Sequence, residues 1–219
     1  MSVHAILPIK SFEDSKQRLA TGLSEGPRRA LAEAMFSDVL TALRRTSAIT
    51  DVVVVSSSRN AQRIASGHGI GAIEDGAIGH SEAAALGVMH AVEAGSEKVL
   101  LIPGDCPLID PHELEELIAR AAAGRSALIV PDRHGTGTNA LLLTPPDALT
   151  PSFGPDSCAR HLELARAQGT PGEVVDVPSL ALDIDTPEDL DLLRTTLAST
   201  HGGAAHTRGM LSQLSRSQS

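Results

Sequence analysis

Lys98-Val99-Leu100-Leu101-Ile102-Pro103-Gly104-Asp105-Cys106-Pro107-Leu108 is the stretch that points to one architecture above others. Residues 99 to 102 offer no polar face to water, so they read as a strand buried on both sides, the pattern of a parallel sheet covered by helices. The strand leaves Asp105 at its carboxyl end, over the crevice where open α/β sheets bind ligands. An acid in that position is placed to hold a hydrated Mg²⁺ against a nucleotide. Leu182-Asp183-Ile184-Asp185-Thr186-Pro187-Glu188-Asp189 repeats the arrangement, ending a short apolar stretch and opening a helix. Asp105 and Asp185 are therefore expected to meet across the crevice. Taken singly, Asp105 also reads as a turn former and Asp185 as a residue leading into a helix; only the pair points to a metal.

Working outward, residues 3–8 and 51–56 read as further strands, and Ala127-Leu128-Ile129-Val130-Pro131 and Asn139-Ala140-Leu141-Leu142-Leu143 as two more. Helical periodicity covers residues 27–45, roughly 61–66, and 82–94. Asp110-Pro111-His112-Glu113 supplies an N-cap, a first-turn proline and early negative charge to a helix running to about residue 123. Thr186-Pro187-Glu188-Asp189 does the same for a helix ending near residue 198. The alternation gives βαβ units. The fold class is α/β: one domain over residues 1–198, a mostly parallel twisted sheet with helices on both faces. Residues 199–219, rich in Ser, Gly, His and Gln, read as a disordered tail.

A chain of 219 residues with 42% hydrophobic content has ample material for one core, which must be aliphatic because there are three Phe and no Trp or Tyr. The same scarcity of aromatic rings, with a net charge of −9, argues against nucleic acid as a partner. The first residues do not read as a secretory leader and no membrane-length apolar run is seen, so a cytoplasmic protein is expected. Cys106 and Cys158 have no metal-ligand spacing and are expected to stay reduced. Oligomeric state, a homodimer included, stays open.

Three cations, Lys10, Lys16 and Arg18, follow the first strand, where they would neutralise a triphosphate; by charge alone they read first as a solvated face. No Gly-x₄-Gly-Lys-Ser/Thr and no Gly-x-Gly-x-x-Gly after the first strand is present, so neither a P-loop nor a dinucleotide fingerprint is available. Phe153-Gly154-Pro155-Asp156-Ser157-Cys158-Ala159-Arg160-His161 opens a helix after a proline-rich turn. Its first amides, the Ser157 hydroxyl and the bare Gly154 would cradle a phosphate or carboxylate, or Asp156 simply caps the helix. Arg133, His134, Arg160 and His161 are further candidate cations nearby. The loop 132–138 contains no apolar residue and is expected to face solvent or ligand.

Lys10-x₅-Lys16-x-Arg18-Leu19, Gly104-Asp105-Cys106-Pro107-Leu108, Thr136-Gly137-Thr138-Asn139, Phe153-Gly154-Pro155-x-Ser157 and Asp183-Ile184-Asp185-Thr186-Pro187, in this order, resemble the phosphoenolpyruvate and 2-phospho-L-lactate guanylyltransferase family (FbiD/CofC). The resemblance runs from about residue 3 to residue 197. It implies a nucleotide-diphospho-sugar transferase-like fold and transfer of GMP from GTP to a small phosphorylated carboxylic acid in biosynthesis of the deazaflavin coenzyme F-420. It further implies that Asp105 and Asp185 hold Mg²⁺, that Lys10, Lys16 and Arg18 hold GTP, with Lys16 also catalytic, and that Thr138, Gly154 and Ser157 bind the acceptor. Family members usually carry Gly-Leu-Asn where this chain has Gly79-His80-Ser81, which leaves Gly79 and Ser81 as the expected nucleotide contacts there. Two rivals stand beside this reading: the same chemistry on 3-phosphoglycerate or another phosphorylated acceptor, and a noncatalytic nucleotide-binding regulator.

Overall fold

The computed structural model describes residues 2–12, 16–77, 79–121 and 124–217. Its strands are β1 (Val3–Pro8), β2 (Asp51–Val55), β3 (Gly71–Ile73), β4 (Lys98–Leu101), β5 (Ser126–Pro131), β6 (Thr138–Thr144) and β7 (Gly172–Val174). Its helices are α1 (Glu25–Arg45), α2 (Arg59–Gly67), α3 (His80–Glu93), α4 (Pro111–Arg120), α5 (Ser157–Ala167), α6 (Pro187–Ser199) and α7 (Ala205–Ser217). The strands form one sheet in the order β3-β2-β1-β4-β6-β5-β7. β6 alone runs against its neighbours, pairing antiparallel with β4 and β5. Its first residue, Thr138, therefore starts at the edge where β1, β4 and β5 end.

Successive side chains on each strand serve opposite faces. Ala5, Leu7, Val52, Val54, Leu100, Leu128 and Leu142 pack under α1, α2, α4, α6 and α7. Ile6, Val53, Val55, Val99, Leu101, Ile129 and Leu141 pack against α3 and α5. This is why the strand sequences carry unbroken aliphatic runs. Two of the three phenylalanines, Phe12 and Phe36, meet in the larger layer with ring centroids 5.5 Å apart. Lys98 is buried in β4 because its ammonium donates to Ile118 O at 3.2 Å and Ala121 O at 3.1 Å, satisfying carbonyls at the end of α4.

The expected starts of the helices at Asp110 and Thr186 are present. Asp110 accepts the His112 N–H at 2.9 Å, and Thr186 forms a reciprocal capping box with Asp189. α4 ends at Arg120, and residues 122 and 123 of its expected extension lie outside the described residues. Among the described residues, no helix is long and apolar enough to cross a membrane.

The segment after Ser199 corrects the sequence reading. Instead of disorder, residues 205–217 form α7 on the outer face of α1, with Ala204, Thr207, Leu211 and Leu214 buried. Asp38 of α1, itself buried, accepts the His206 N–H at 3.0 Å and the Thr207 N–H at 2.8 Å. These are amides at the start of α7 with no partner inside their own helix, and the helix dipole favours a carboxylate there. Arg208 binds Thr200 O at 2.9 Å and Gly202 O at 3.2 Å, tying α7 to the connection from α6. Asp38→Ala should cost about 1–2 kcal/mol of stability and raise amide exchange across residues 205–217 while turnover persists. Unchanged protection of α7 would show that the carboxylate does not hold it.

Candidate active site

A cleft of about 660 Å³ opens at the carboxyl edge of the sheet, within the range of roughly 300–1,000 Å³ usual for small-molecule sites. It is walled by the segment leaving β1 (Ile9 to Phe12), Lys16, the start of α3 (His80 to Glu82), Gly104, Asp105, Phe153, Gly154 and Asp185. Gly104 permits the approach of Asp105 to the core. A Cβ there would stand 2.5 Å from Ile9 Cδ1 and 3.1 Å from Phe36 Cδ2.

The two aspartates converge. Lys16 Nζ donates to Asp105 Oδ2 and, at 2.9 Å, to Asp185 Oδ1, so one ammonium bridges carboxylates that lie far apart in the chain. Burial alone would lower the lysine's pKa. The charges of Asp105 and Asp185, with hydrogen bonds to both, outweigh it and hold the ammonium above the ordinary lysine range. Lys16 reaches the pair from a left-handed backbone conformation, φ 58°, a conformation uncommon outside glycine. Behind them, Asp183 is pushed above the usual carboxylate range by burial and by the charge of Asp105, against a lowering from its hydrogen bond with Asn139 at 3.1 Å.

Of the expected site residues, Lys10, Lys16, Ser81, Asp105, Gly154 and Asp185 share this cleft. Arg18 does not line it: it is exposed on a 3-10 turn, Gln17–Thr21, whose buried residue is Leu19. Gly79 is the N-cap of α3, one residue behind the wall, and the Glu82 carboxylate folds over it, 2.1 Å from where a Cβ would stand. Ser81 Oγ accepts the Phe153 N–H at 2.9 Å, joining the start of α3 to the Phe153 turn.

Thr138 and Ser157 adjoin the cleft rather than line it: Ser157 follows the lining residue Gly154 by three positions, and Thr138, half-buried, meets His161, whose ring packs on Phe153. Ser157 is buried at the first position of α5, and its N–H is taken by Gly154 O at 3.2 Å, while the Cys158 N–H is taken by Thr136 O at 3.0 Å. The amide cradle expected there is thus partly closed by the chain itself. Asp156 occupies the N-cap position in a left-handed conformation, and its side chain makes no capping hydrogen bond. Gly154, at φ 115°, is the open part of the turn.

The candidate cations around this turn have other duties. Arg160 donates to Ser152 O at 3.1 Å and Pro155 O at 2.8 Å, holding the loop in shape. Arg133 pairs with Asp189, fastening the loop 132–138 to α6. His161 is fully buried, and burial, helped by the charge of Arg160, lowers its pKa to about 4, so it is a neutral imidazole at pH 7. Its Nδ1 lies 3.0 Å from Thr138 Oγ1, and its Nε2 accepts the Ser152 N–H at 3.0 Å. His80 in the cleft wall is likewise lowered, by burial and then by Lys10. Sequence patterning gives no signal for the bridging role of His161, because a buried histidine in a helix looks like any core residue until its partners are placed.

The cleft thus brings two cations, Lys10 and Lys16, together with two carboxylates whose hard oxygens meet at one point. Comparison with known proteins agrees with that chemistry. The family model described as "Guanylyl transferase CofC like" matches residues 3–218. A phosphoenolpyruvate guanylyltransferase of Conexibacter woesei is 55% identical over 218 residues, covering 99% of this chain and 98% of that protein. A 3-phospho-D-glycerate guanylyltransferase of Colwellia psychrerythraea is 34% identical, covering 88% of this chain and 91% of that protein. A solved chain from Desulfovibrio desulfuricans G20, assigned to the nucleotide-diphospho-sugar transferases, superposes with a TM-score of 0.78 at 17% identity, covering 97% of this chain and 95% of its own. That last likeness speaks for the fold alone.

Proposed function

Because the chain belongs to the CofC-like guanylyl transferase family, we propose that it moves GMP from GTP to the phosphate of phosphoenolpyruvate, releasing pyrophosphate. The observation that carries the reading is the meeting of Asp105 and Asp185 at one cationic point in the cleft. 2-Phospho-L-lactate and 3-phospho-D-glycerate present the same phosphate and carboxylate on a short carbon frame, and discrimination among them depends on pocket shape. Phosphoenolpyruvate is preferred because the relative named for it is 55% identical, against 34% for the one named for 3-phospho-D-glycerate. The product would serve biosynthesis of a deazaflavin coenzyme.

The acceptor phosphate is largely dianionic at neutral pH, its second pKa being about 6, so no side chain has to deprotonate it. The barrier lies in bringing that dianion in line with the α-phosphorus of another polyanion. Positioning and charge neutralisation supply the rate. In this reading Lys10, on the segment leaving β1, and the buried Lys16 ammonium face the GTP phosphates. Ser81 and Gly79 belong to the nucleotide side of the cleft, and Gly154 with Thr138 and Ser157 to the acceptor side.

Asp105 and Asp185 would hold Mg²⁺. Carboxylate oxygens suit that hard ion, and the two already share one positive charge. Among the described residues no group of three or more His, Cys, Asp and Glu side chains is gathered as a metal set. Two carboxylates with substrate phosphates completing the shell is the usual Mg²⁺ pattern. When bound, the ion would offset charge on the α-phosphate and the departing pyrophosphate.

Incubation with GTP, Mg²⁺ and an equimolar mixture of the three acceptors tests this. Pyrophosphate release with guanylylated phosphoenolpyruvate as the main product mass is expected. Absence of pyrophosphate with every acceptor would leave the protein a nucleotide binder without turnover.

A further inference from the structure

The hydrogen bonds around His161 fix more than its position. The Ser152 backbone N–H can only donate, and it points at His161 Nε2 from 3.0 Å, so that nitrogen carries a lone pair. The ring is fully buried, edge-on to Phe153 with centroids 5.2 Å apart, and is neutral at pH 7. A neutral imidazole has one N–H, which must then be on Nδ1. Its partner there, at 3.0 Å, is Thr138 Oγ1. The threonine hydroxyl therefore accepts this bond and keeps its own hydrogen. Among the described residues, Thr138 Oγ1 has no second side-chain partner. The opposite assignment, Thr138 donating to Nδ1, would put a proton on Nε2 and set two donors head to head in a buried place.

We propose that His161 is a positioning residue for the transfer reaction: as the Nδ1–H tautomer it occupies one lone pair of the Thr138 hydroxyl and leaves that hydroxyl's hydrogen to be donated to an anionic oxygen of the acceptor. The same ring fixes Ser152, whose neighbours Phe153 and Gly154 form the cleft wall. One buried imidazole thus sets the start of β6 and the turn before α5 relative to each other. This inference rests on the assignment of Thr138 to the acceptor side and adds the group that decides what its hydroxyl does.

Nitrogen-15 NMR of the histidine-labelled full chain at pH 7 reads the tautomer directly, the His161 signal being assigned by its loss in His161→Gln. A protonated Nδ1 and an unprotonated Nε2 are expected; a proton on Nε2 overturns the proposal. Should His161→Gln not fold, uniform nitrogen-15 labelling assigns the ring in the wild-type chain through its contacts with the Ser152 and Thr138 amides. Kinetics supply the second arm. Loss of a hydrogen bond to a charged ligand is worth about tenfold or more in acceptor KM. His161→Leu should raise acceptor KM by that factor with the KM for GTP nearly unchanged, and His161→Asn, which keeps an N–H donor toward Thr138, should recover part of it. In a Thr138→Val background, His161→Leu should cost clearly less than it does in the wild-type chain, the remainder being the loss of its hold on Ser152. If Thr138→Val leaves acceptor KM unchanged, the acceptor assignment of Thr138 fails, whatever tautomer is found. If Thr138→Val raises it but His161→Leu costs the same factor with and without the hydroxyl, His161 acts by another route and the proposal fails.

Discussion

Asp105→Asn lowers the rate of guanylyl transfer by at least about 10² to 10³, the usual cost of losing one charge partner to the transition state. The substitution keeps the shape of the side chain and removes its charge. Asp105 and Asp185 both contact the Lys16 ammonium, so the variant leaves a single carboxylate at the point where two are needed. The fold should survive, because Asp105 stands on the loop beyond β4 and is partly exposed, and Lys16 keeps its bond to Asp185. Steady-state rates compared with the thermal melt separate lost chemistry from lost folding. Full activity in a folded Asp105→Asn protein would remove this carboxylate from the mechanism.

Gly154→Val blocks the acceptor while GTP still binds. The residue has φ 115°, a region that β-branched side chains rarely adopt, and it forms part of the cleft wall beside Phe153. A Cβ at this position lies 3.7 Å from Arg160 Nη2, so there is room for the atom itself. The damage comes from backbone strain and from the branches filling the mouth of the turn. Strain of about 1–3 kcal/mol, relieved by moving the turn, corresponds to a loss of acceptor affinity of about tenfold or more. Calorimetry with each ligand separately is the measurement. Equal weakening of both would mean that the turn serves no separate acceptor side.

How much of this was legible in sequence follows from the range of the interactions. β1, β2 and β4 are aliphatic on both faces, a pattern that only a doubly covered sheet explains, and their carboxyl ends placed Asp105 correctly. β3 and β7 gave no signal because they are three-residue edge strands, Gly71-Ala72-Ile73 and Gly172-Glu173-Val174, largely exposed. α7 was hidden because its polar sequence carries few core residues and because its N-terminal amides are satisfied by Asp38, more than 160 residues away. Spacing put Lys10 and Lys16 on the segment that lines the cleft but could not show that Arg18 turns to solvent on the helical turn that buries Leu19. At the Phe153 turn, composition marked Gly154, while the occupation of the Ser157 and Cys158 amides by Gly154 O and Thr136 O depends on contacts no local pattern encodes. Asp105 follows β4 as expected, but residues 182–184 before Asp185 form no strand; they are irregular backbone drawn beside the Asp105 loop by the Ile184 N–H, which donates to Asp105 O at 3.3 Å. The Lys16 bridge between the two aspartates needed the coordinates.

In the proposed reaction these two carboxylates jointly hold one divalent ion against the nucleotide. Crystals grown with Mn²⁺ and a GTP analogue that cannot be cleaved between its α- and β-phosphates test it most directly, through the anomalous scattering of manganese. A peak within bonding distance of both Asp105 and Asp185, lost in Asp105→Asn, is expected. A manganese peak bound to neither carboxylate, with the analogue seated in the cleft, would contradict it.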